Sequence, residues 1–289
     1  MHRVAATLAA WRLRYHRNPS SWLAAALLAV LALMAIAPQV VSGADPRDCL
    51  LARSLEPPSA AHPFGFDVQG CDYLAITMHG TRTSLSIAAI VVSSAFAIAV
   101  VLGSLAGFVG GWVDVVVSRV SDVWSGIPLI LGGVVLLSTT STRGVFQVAA
   151  VLALFGWPPM VRVMRASVMS TKELEYVQAA RTVGMDGWRL LRRHILPNSL
   201  RPVMTVASAY AGAVIAIEAT LTFAGVGLQL PAMSWGLQLL EAQNRLQQAP
   251  HLLVFPAIFL VVTVLAFILL GEALRRSSSL AEQGRRGGA

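Results

Sequence analysis

The sequence predicts an all-α polytopic membrane protein, and three observations carry that prediction. Hydrophobic residues make up 56% of the 289 and charged ones only 12%, with a mean hydropathy of +0.67, far from the balance of a soluble globular domain. Apolar runs of membrane-crossing length recur along the chain. Its basic residues collect on alternate connections between those runs. The formal charge of +8 therefore reads as arginine retained on one membrane face, and no nucleic-acid partner is needed to explain it.

A hydrocarbon core about 30 Å thick needs roughly 20 helical residues. Six runs meet this length: Trp22 to Val41, Leu85 to Val109, Val115 to Leu137, Val145 to Val163, Val203 to Phe223 and Leu252 to Leu270. An even number puts both termini on one side. With the N-terminus in the cytoplasm, 17 of the 22 basic residues lie inside: Arg3, Arg12, Arg14, Arg17, Arg119, the cluster from Arg162 to Arg201, Arg275, Arg276, Arg285 and Arg286. Only Arg47, Arg53, Arg82, Arg143 and Arg245 lie outside, so the positive-inside rule selects this orientation. The first run also has the look of a secretory signal ending at Ser42-Gly43-Ala44. It is long for a signal core, and Pro38 would hinder cleavage after the alternative Ala35-x-Ala37, so a retained span is expected.

Gly103, Gly107 and Gly111 stand four apart and are expected to line one face of the second span, where another helix can approach closely. Ser208, Gly212 and Ala216 repeat the spacing on the fifth span, so these two helices are expected to meet each other or a partner subunit. Gly156, Pro158 and Pro159 should kink the fourth span near its inner end, as a gating element or as a static packing device.

The most informative stretch is the polar, basic hairpin at 176–198, which the orientation places in the cytoplasm. Gln178-Ala179-Ala180 precedes Gly184, which can take positive φ, and Asp186 is placed to cap a helix beginning near Gly187. Leu196-Pro197 is expected to end that helix. Its exposed face would carry Trp188, Leu191 and Ile195, bordered by Arg189, Arg192 and Arg193. Such a strip fits either a groove on a soluble partner or anionic lipid headgroups.

The pattern Gln178-Ala179-Ala180-x3-Gly184, closed by His194-Ile195-Leu196-Pro197-Asn198, resembles the EAA loop of permease subunits in binding-protein-dependent ABC importers. Over nearly its whole length the chain resembles the C-type permease of the oligopeptide and dipeptide importers. Further blocks carry the likeness: Pro57-Pro58-Ser59, Gly65-x-Asp67-x-x-Gly70-x-Asp72, Gly80-Thr81-Arg82-x-Ser84-Leu85, Gly110-Gly111-x-x-Asp114, Arg119-x-x-Asp122, Ile127-Pro128, Glu218-Ala219-x-Leu221-x-Phe223-x-Gly225-x-Gly227, Ser234-Trp235-Gly236 and Gly271.

The resemblance implies a type I importer permease bundle of six transmembrane helices with a cytoplasmic coupling helix. It divides into an N-terminal segment, first helix and external loop (1–82), a five-helix permease core (83–275) and a cytoplasmic tail (276–289). It further implies a heterodimer with a second homologous permease, two ATPase subunits or domains, an extracytoplasmic solute-binding protein and a location in the bacterial cytoplasmic membrane. Oligopeptides or dipeptides are the implied cargo, with nickel chelates or another small solute as the alternative, and a passive facilitator as a reading of a different class.

Gln178 departs from the Glu that usually opens the loop, replacing a family ion pair by at most a hydrogen bond, for which Glu173 or Glu175 can compensate. Cys71 stands where the family usually has Arg. The only other cysteine, Cys49, shares its outer loop, where a disulfide or two free thiols are both open. No phosphate-binding loop surrounds Lys172, so no catalytic residue is expected on this chain, and ATP and Mg belong to the partner ATPase. The six histidines show no ligand pair, and no metal site is expected. Glu218, near the outer end of the fifth span, either lines the translocation pathway or accepts hydrogen bonds from a neighbouring helix end. Asp114, Arg119 and Asp122 surround the inner start of the third span, where a local salt bridge is expected in preference to substrate contact.

Overall fold

Proline, glycine and a few capping side chains, Asp72, Asp186 and Ser234, decide where the helices start and bend. The computed structural model describes residues 19–286, so the expectations resting on Arg3, Arg12, Arg14 and Arg17, and on 287–289, lie outside the described residues. Helix α1 (Pro19–Ile36) is followed by the single turn α2 (Pro38–Ser42), closed by Gly43 at φ +66°. The second helical stretch starts well before the expected Leu85, because the Asp72 carboxylate accepts from the Ala75 amide at 3.0 Å and caps it. It runs as α3 (Tyr73–Ile98), a π-helical turn at Ala99–Gly103, and α4 (Ser104–Val109).

Gly110 and Gly111, at φ +70° and +56°, reverse the chain into α5 (Gly111–Ser125). Pro128 forces Ile127 out of helical geometry, and α6 (Leu129–Ser138) leaves α5 at 71°. Helices α7 (Val145–Gly156) and α8 (Pro158–Lys172) meet at 45° around Trp157. The hairpin at 176–198 forms α9 (Glu175–Thr182) and α10 (Gly187–Leu190). A π-helical turn at Leu191–Ile195 then leads into α11 (Leu196–Phe223), followed by α12 (Trp235–Ala242) and α13 (His251–Arg286).

Among the described residues, three stretches are long and apolar enough to cross a membrane: Tyr73–Val109, Gly187–Phe223 and His251–Arg276. They become five if each bent pair counts as one span, and the first expected span is a shorter apolar helix. Side chains pack in three clusters stacked along the bundle. An outer one joins Tyr73 to Leu252, a middle one joins Ile87, Leu152 and Ile215, and an inner one joins Met164, Val177 and Ile195.

Two prolines strip a carbonyl of its helical donor, and in each case an aromatic side chain from another helix replaces it. Pro158 cannot donate to the Leu154 carbonyl, which instead accepts from Trp124 Nε1 at 2.6 Å. Pro256 likewise frees the Leu252 carbonyl, which accepts the buried Tyr73 hydroxyl at 2.5 Å.

Two expectations about glycine and proline are corrected here. Gly111 does not share a packing face with Gly103 and Gly107, since the chain has already turned at Gly110 and nothing lies within 4 Å of its Cβ direction. Pro197 does not end the hairpin's second helix. It enters α11 at its first turn, directly after the π-helical turn, where its missing N–H is tolerated and the helix continues to Phe223.

Candidate functional site

The hairpin at 176–198 is a structured knuckle held at one end of the bundle. Its first arm, α9, is fixed by the buried Val177 and by Gln178, whose Nε2 donates to the Lys172 carbonyl at 3.0 Å and lies 3.4 Å from a Glu173 carboxylate oxygen. The amide at this departure from the family pattern is thus turned into the knuckle's own base. The bend is a Schellman closure. The Met185 amide reaches the Ala180 carbonyl at 3.2 Å and the Gly184 amide reaches Arg181 at 3.0 Å, with Gly184 at φ +81°. Asp186 then caps α10 by accepting from the Arg189 amide at 3.1 Å.

The second arm differs from the expected exposed strip. Only Trp188 is exposed, at 65%, whereas Leu191 is 4% exposed and Ile195 fully buried, because α10 and the π-helical turn lay that face on Met164, Val168 and Val203. The outward surface is therefore Val183 at the tip, the exposed Ala179, then Trp188, with Arg181, Arg189, Arg192 and Arg193 around it. A cavity of about 420 Å³ opens between Trp188, Arg189, Arg192 and Arg193. The His194 ring lies 6.4 Å from Tyr176 and joins the two arms; Leu196 is half-buried and Pro197 exposed. Lys172 Nζ donates to the Gly107 carbonyl at 3.3 Å, and Ser199 Oγ to Thr171 Oγ1 at 3.1 Å, so displacing the knuckle must displace the helices that carry it.

The small-residue faces meet different helices from those expected. A Cβ on Gly103 would fall 2.7 Å from Met164 Cβ, and one on Gly107 2.7 Å from the Arg165 carbonyl, so both lie against α8. Gly212 faces Val264 and Phe267 of α13, and Ser208 lies beside Gly271 of the same helix. Asp114 pairs with Arg165 across helices, with Arg165 Nη2 donating to Asp114 Oδ2 at 2.6 Å, instead of with its neighbour Arg119. The sequence places Arg165 fifty-one residues away from Asp114, and no local pattern signals the match.

Glu218 is enclosed in this structure, at 0% exposure, and lines no open pathway. It accepts from Ser84 at 3.2 Å, Thr222 at 2.9 Å and Ser234 at 3.3 Å, tying α3, α11 and the start of α12. Ser234 Oγ in turn accepts from the Leu237 amide and caps α12, while Gln238 and Trp235 donate to Thr77.

In the outer loop, Cys49 and Cys71 are joined, with their sulfurs 1.99 Å apart. Around them Leu50 donates to the Gly70 carbonyl at 3.0 Å, and Asp67 Oδ1 accepts from the Gln69 and Cys71 amides at 2.9 and 2.7 Å. Burial pushes the Asp67 carboxyl up, against the opposing pull of the Cys71, Gln69 and Gly70 amides. Phe64 stacks on Phe255 at 3.8 Å between centroids, so the loop is pinned to the outer end of α13. Among the described residues no group of three or more His, Cys, Asp or Glu could hold a metal ion.

A bent-helix bundle with a rigid basic knuckle at one end and a clasped loop at the other defines a multi-pass membrane permease subunit. The family described as "Binding-protein-dependent transport system inner membrane component" matches residues 99–279, and the chain belongs to it. Members of that family are ABC transporter permeases working with other subunits and are not themselves enzymes. The glutathione transport system permease protein GsiD of Pectobacterium atrosepticum is 37% identical over 220 residues, 76% of this chain and 73% of that protein. The oligopeptide transport system permease protein OppC of Bacillus subtilis is 32% identical over 272 residues, 93% and 89% of the two chains. The dipeptide transport system permease protein DppC of the same organism is 33% identical over 268 residues, 92% and 83%. A chain from a crystal structure of an amino acid ABC transporter with histidines superposes with a TM-score of 0.55 at 16% identity, over 71% of this chain and 94% of that one. That likeness speaks for the fold.

Proposed function

We propose that this chain is the membrane-spanning permease of an ATP-driven importer that moves oligopeptides or dipeptides delivered by an external solute-binding protein. It pairs with a second, similar permease and with two ATPase subunits or domains, which carry the ATP and Mg. The N- and C-termini lie in the bacterial cytoplasm. The observation that carries this reading is the knuckle itself: a capped, glycine-closed element whose outward face combines Trp188 with four arginines and whose base is locked to α4, α8 and α11. An element so anchored transmits displacement, and its charge suits an acidic groove on a soluble motor. The names of the relatives support peptides as the cargo.

Closure of the ATPase dimer on ATP would move the knuckle, and with it the inner ends of the spans, switching the bundle between inward and outward openings. Direction comes from motor and binding protein each preferring one bundle state, since a partner binding both states equally shifts neither. The experiment is uptake by the reconstituted complex, with each subunit omitted in turn. Peptide accumulation that requires ATP, the ATPases and the binding protein is expected, and equal passive flux through this chain alone would overturn the proposal.

A further inference from the structure

We propose that Asp122, Ser125 and Arg162 form a polar strip lining an aqueous route at mid-depth in the bundle, where the charged ends of a translocated peptide are met. The peptide part of this proposal rests on the importer reading above. Depth follows from two cross-helix bonds. Helix α5 starts beside the inner part of α8, at the Asp114–Arg165 pair, and reaches Trp124 beside the Leu154 carbonyl, near the middle of the Val145–Lys172 pair. Asp122 and Ser125 lie within two residues of Trp124 and so sit near that level; Arg162, expected from the sequence on the inner side, stands one turn from Arg165 and reaches that level with its side chain, its Nη2 donating to Ser125 Oγ at 2.5 Å.

Asp122, Ser125 and Arg162 are all exposed on the surface of the chain. Ionised side chains at membrane depth are strongly disfavoured against hydrocarbon and are found facing water-filled cavities or polar partners. The backbone gives a second, independent argument. Both helix breaks, at 71° after Ser125 and at 45° around Trp157, fall at this same level, and non-helical backbone inside a membrane is tolerated only where it is buried in protein or lines water. A peptide carries one cationic and one anionic end. The strip offers it the Asp122 carboxylate, which also feels the charge of Arg165, and the Arg162 guanidinium held on the Ser125 hydroxyl, while Arg165 itself is bonded to Asp114.

The test uses the assembled complex in membrane vesicles. Cys49 and Cys71 are bonded to each other, so a thiol introduced by Ser125→Cys is read by a charged, membrane-impermeant methanethiosulfonate reagent. Val123→Cys, an exposed apolar position on the same turn, is the comparison. The strip predicts that S125C is modified many-fold faster than V123C, at a rate that changes when nucleotide is trapped on the ATPases, and that modification blocks uptake. Equal, slow modification of both in every nucleotide state would overturn it. Arg162→Gln should raise the half-saturating concentration of a zwitterionic dipeptide several-fold and leave that of its C-terminal amide unchanged, at normal abundance of the complex. An equal effect on both ligands would remove the charge-reading role. If the unmodified complex takes up no peptide while S125C is still modified rapidly, the aqueous strip stands and the peptide cargo falls.

Discussion

Gly184 carries the bend of the knuckle, and the reason is conformational alone. It sits at φ +81° with nothing within 4 Å of where a Cβ would project, so a side chain there meets no steric barrier from the rest of the protein. Substitution therefore measures the left-handed backbone itself. Ala should cost about 1–2 kcal/mol of the closed bend, and Asn less, because its short polar side chain tolerates this region. At about 1.4 kcal/mol per factor of ten, the Ala knuckle would lose roughly one decade of its folded population relative to any open alternative. Pro cannot adopt positive φ and also removes the 3.0 Å bond from the Gly184 amide to Arg181. The assay is ATP-driven uptake together with stimulated ATPase activity in proteoliposomes, at matched membrane abundance. Activity should fall in the order Gly, Asn, Ala, Pro, with Gly184→Pro abolishing uptake while the chain still inserts. Normal coupled transport by Gly184→Pro would refute the reasoning, and so would a series in which Asn and Pro behave alike.

Three further outcomes follow from the packing. Tyr73→Phe leaves a buried proline-freed carbonyl without its donor and should destabilise the purified complex by about 1–3 kcal/mol, whereas Trp124→Phe, whose bond to Leu154 is exposed, should cost only about 0.5–1.5 kcal/mol; unchanged thermal midpoints would contradict the replacement-donor account. Glu218→Gln keeps an acceptor for Thr222 and Ser234 and should stay near wild type, whereas Glu218→Leu strands three hydroxyls; equal stability of the two would show that the tie is dispensable. Asp67→Asn preserves the acceptor for the Gln69 and Cys71 amides and removes a buried charge, while Asp67→Leu leaves both amides unpaired. Because the folded-state carboxyl is raised, its stabilising contribution is present at acid pH and lost as pH rises through the folded value. Stability of Asp67→Asn should not show this pH dependence, and an unaltered pH profile would contradict it.

The sequence made the local devices legible and the long-range ones not. Gly184 and Asp186 work within a few residues of themselves, so their chemistry can be read from neighbouring letters, whereas the equally local cap at Asp72 went unread and the span was expected to begin only at Leu85. The direction of Leu191 and Ile195 depended on Met164 and Val203, which lie in other helices, and a basic apolar strip looks the same whether it faces water or a core. The 71° break after Ser125 was hidden because Ile127 and Leu129 keep the run apolar across Gly126 and Pro128. The replacement donors had a usable signal, since a helical proline always frees the carbonyl four residues earlier. Nothing in the sequence, however, says which aromatic side chain will arrive there.

The central claim is that the knuckle receives mechanical work from a separate ATP-hydrolysing subunit. Its most direct measurement is a photo-crosslinker at position 188 in the assembled complex in native membranes, where Trp188 is 65% exposed at the knuckle's outer face. The account predicts a protein adduct with the ATPase subunit whose yield changes between nucleotide-free and vanadate-trapped states. Adducts with lipid alone, in a complex that still accumulates peptide on ATP, would contradict it.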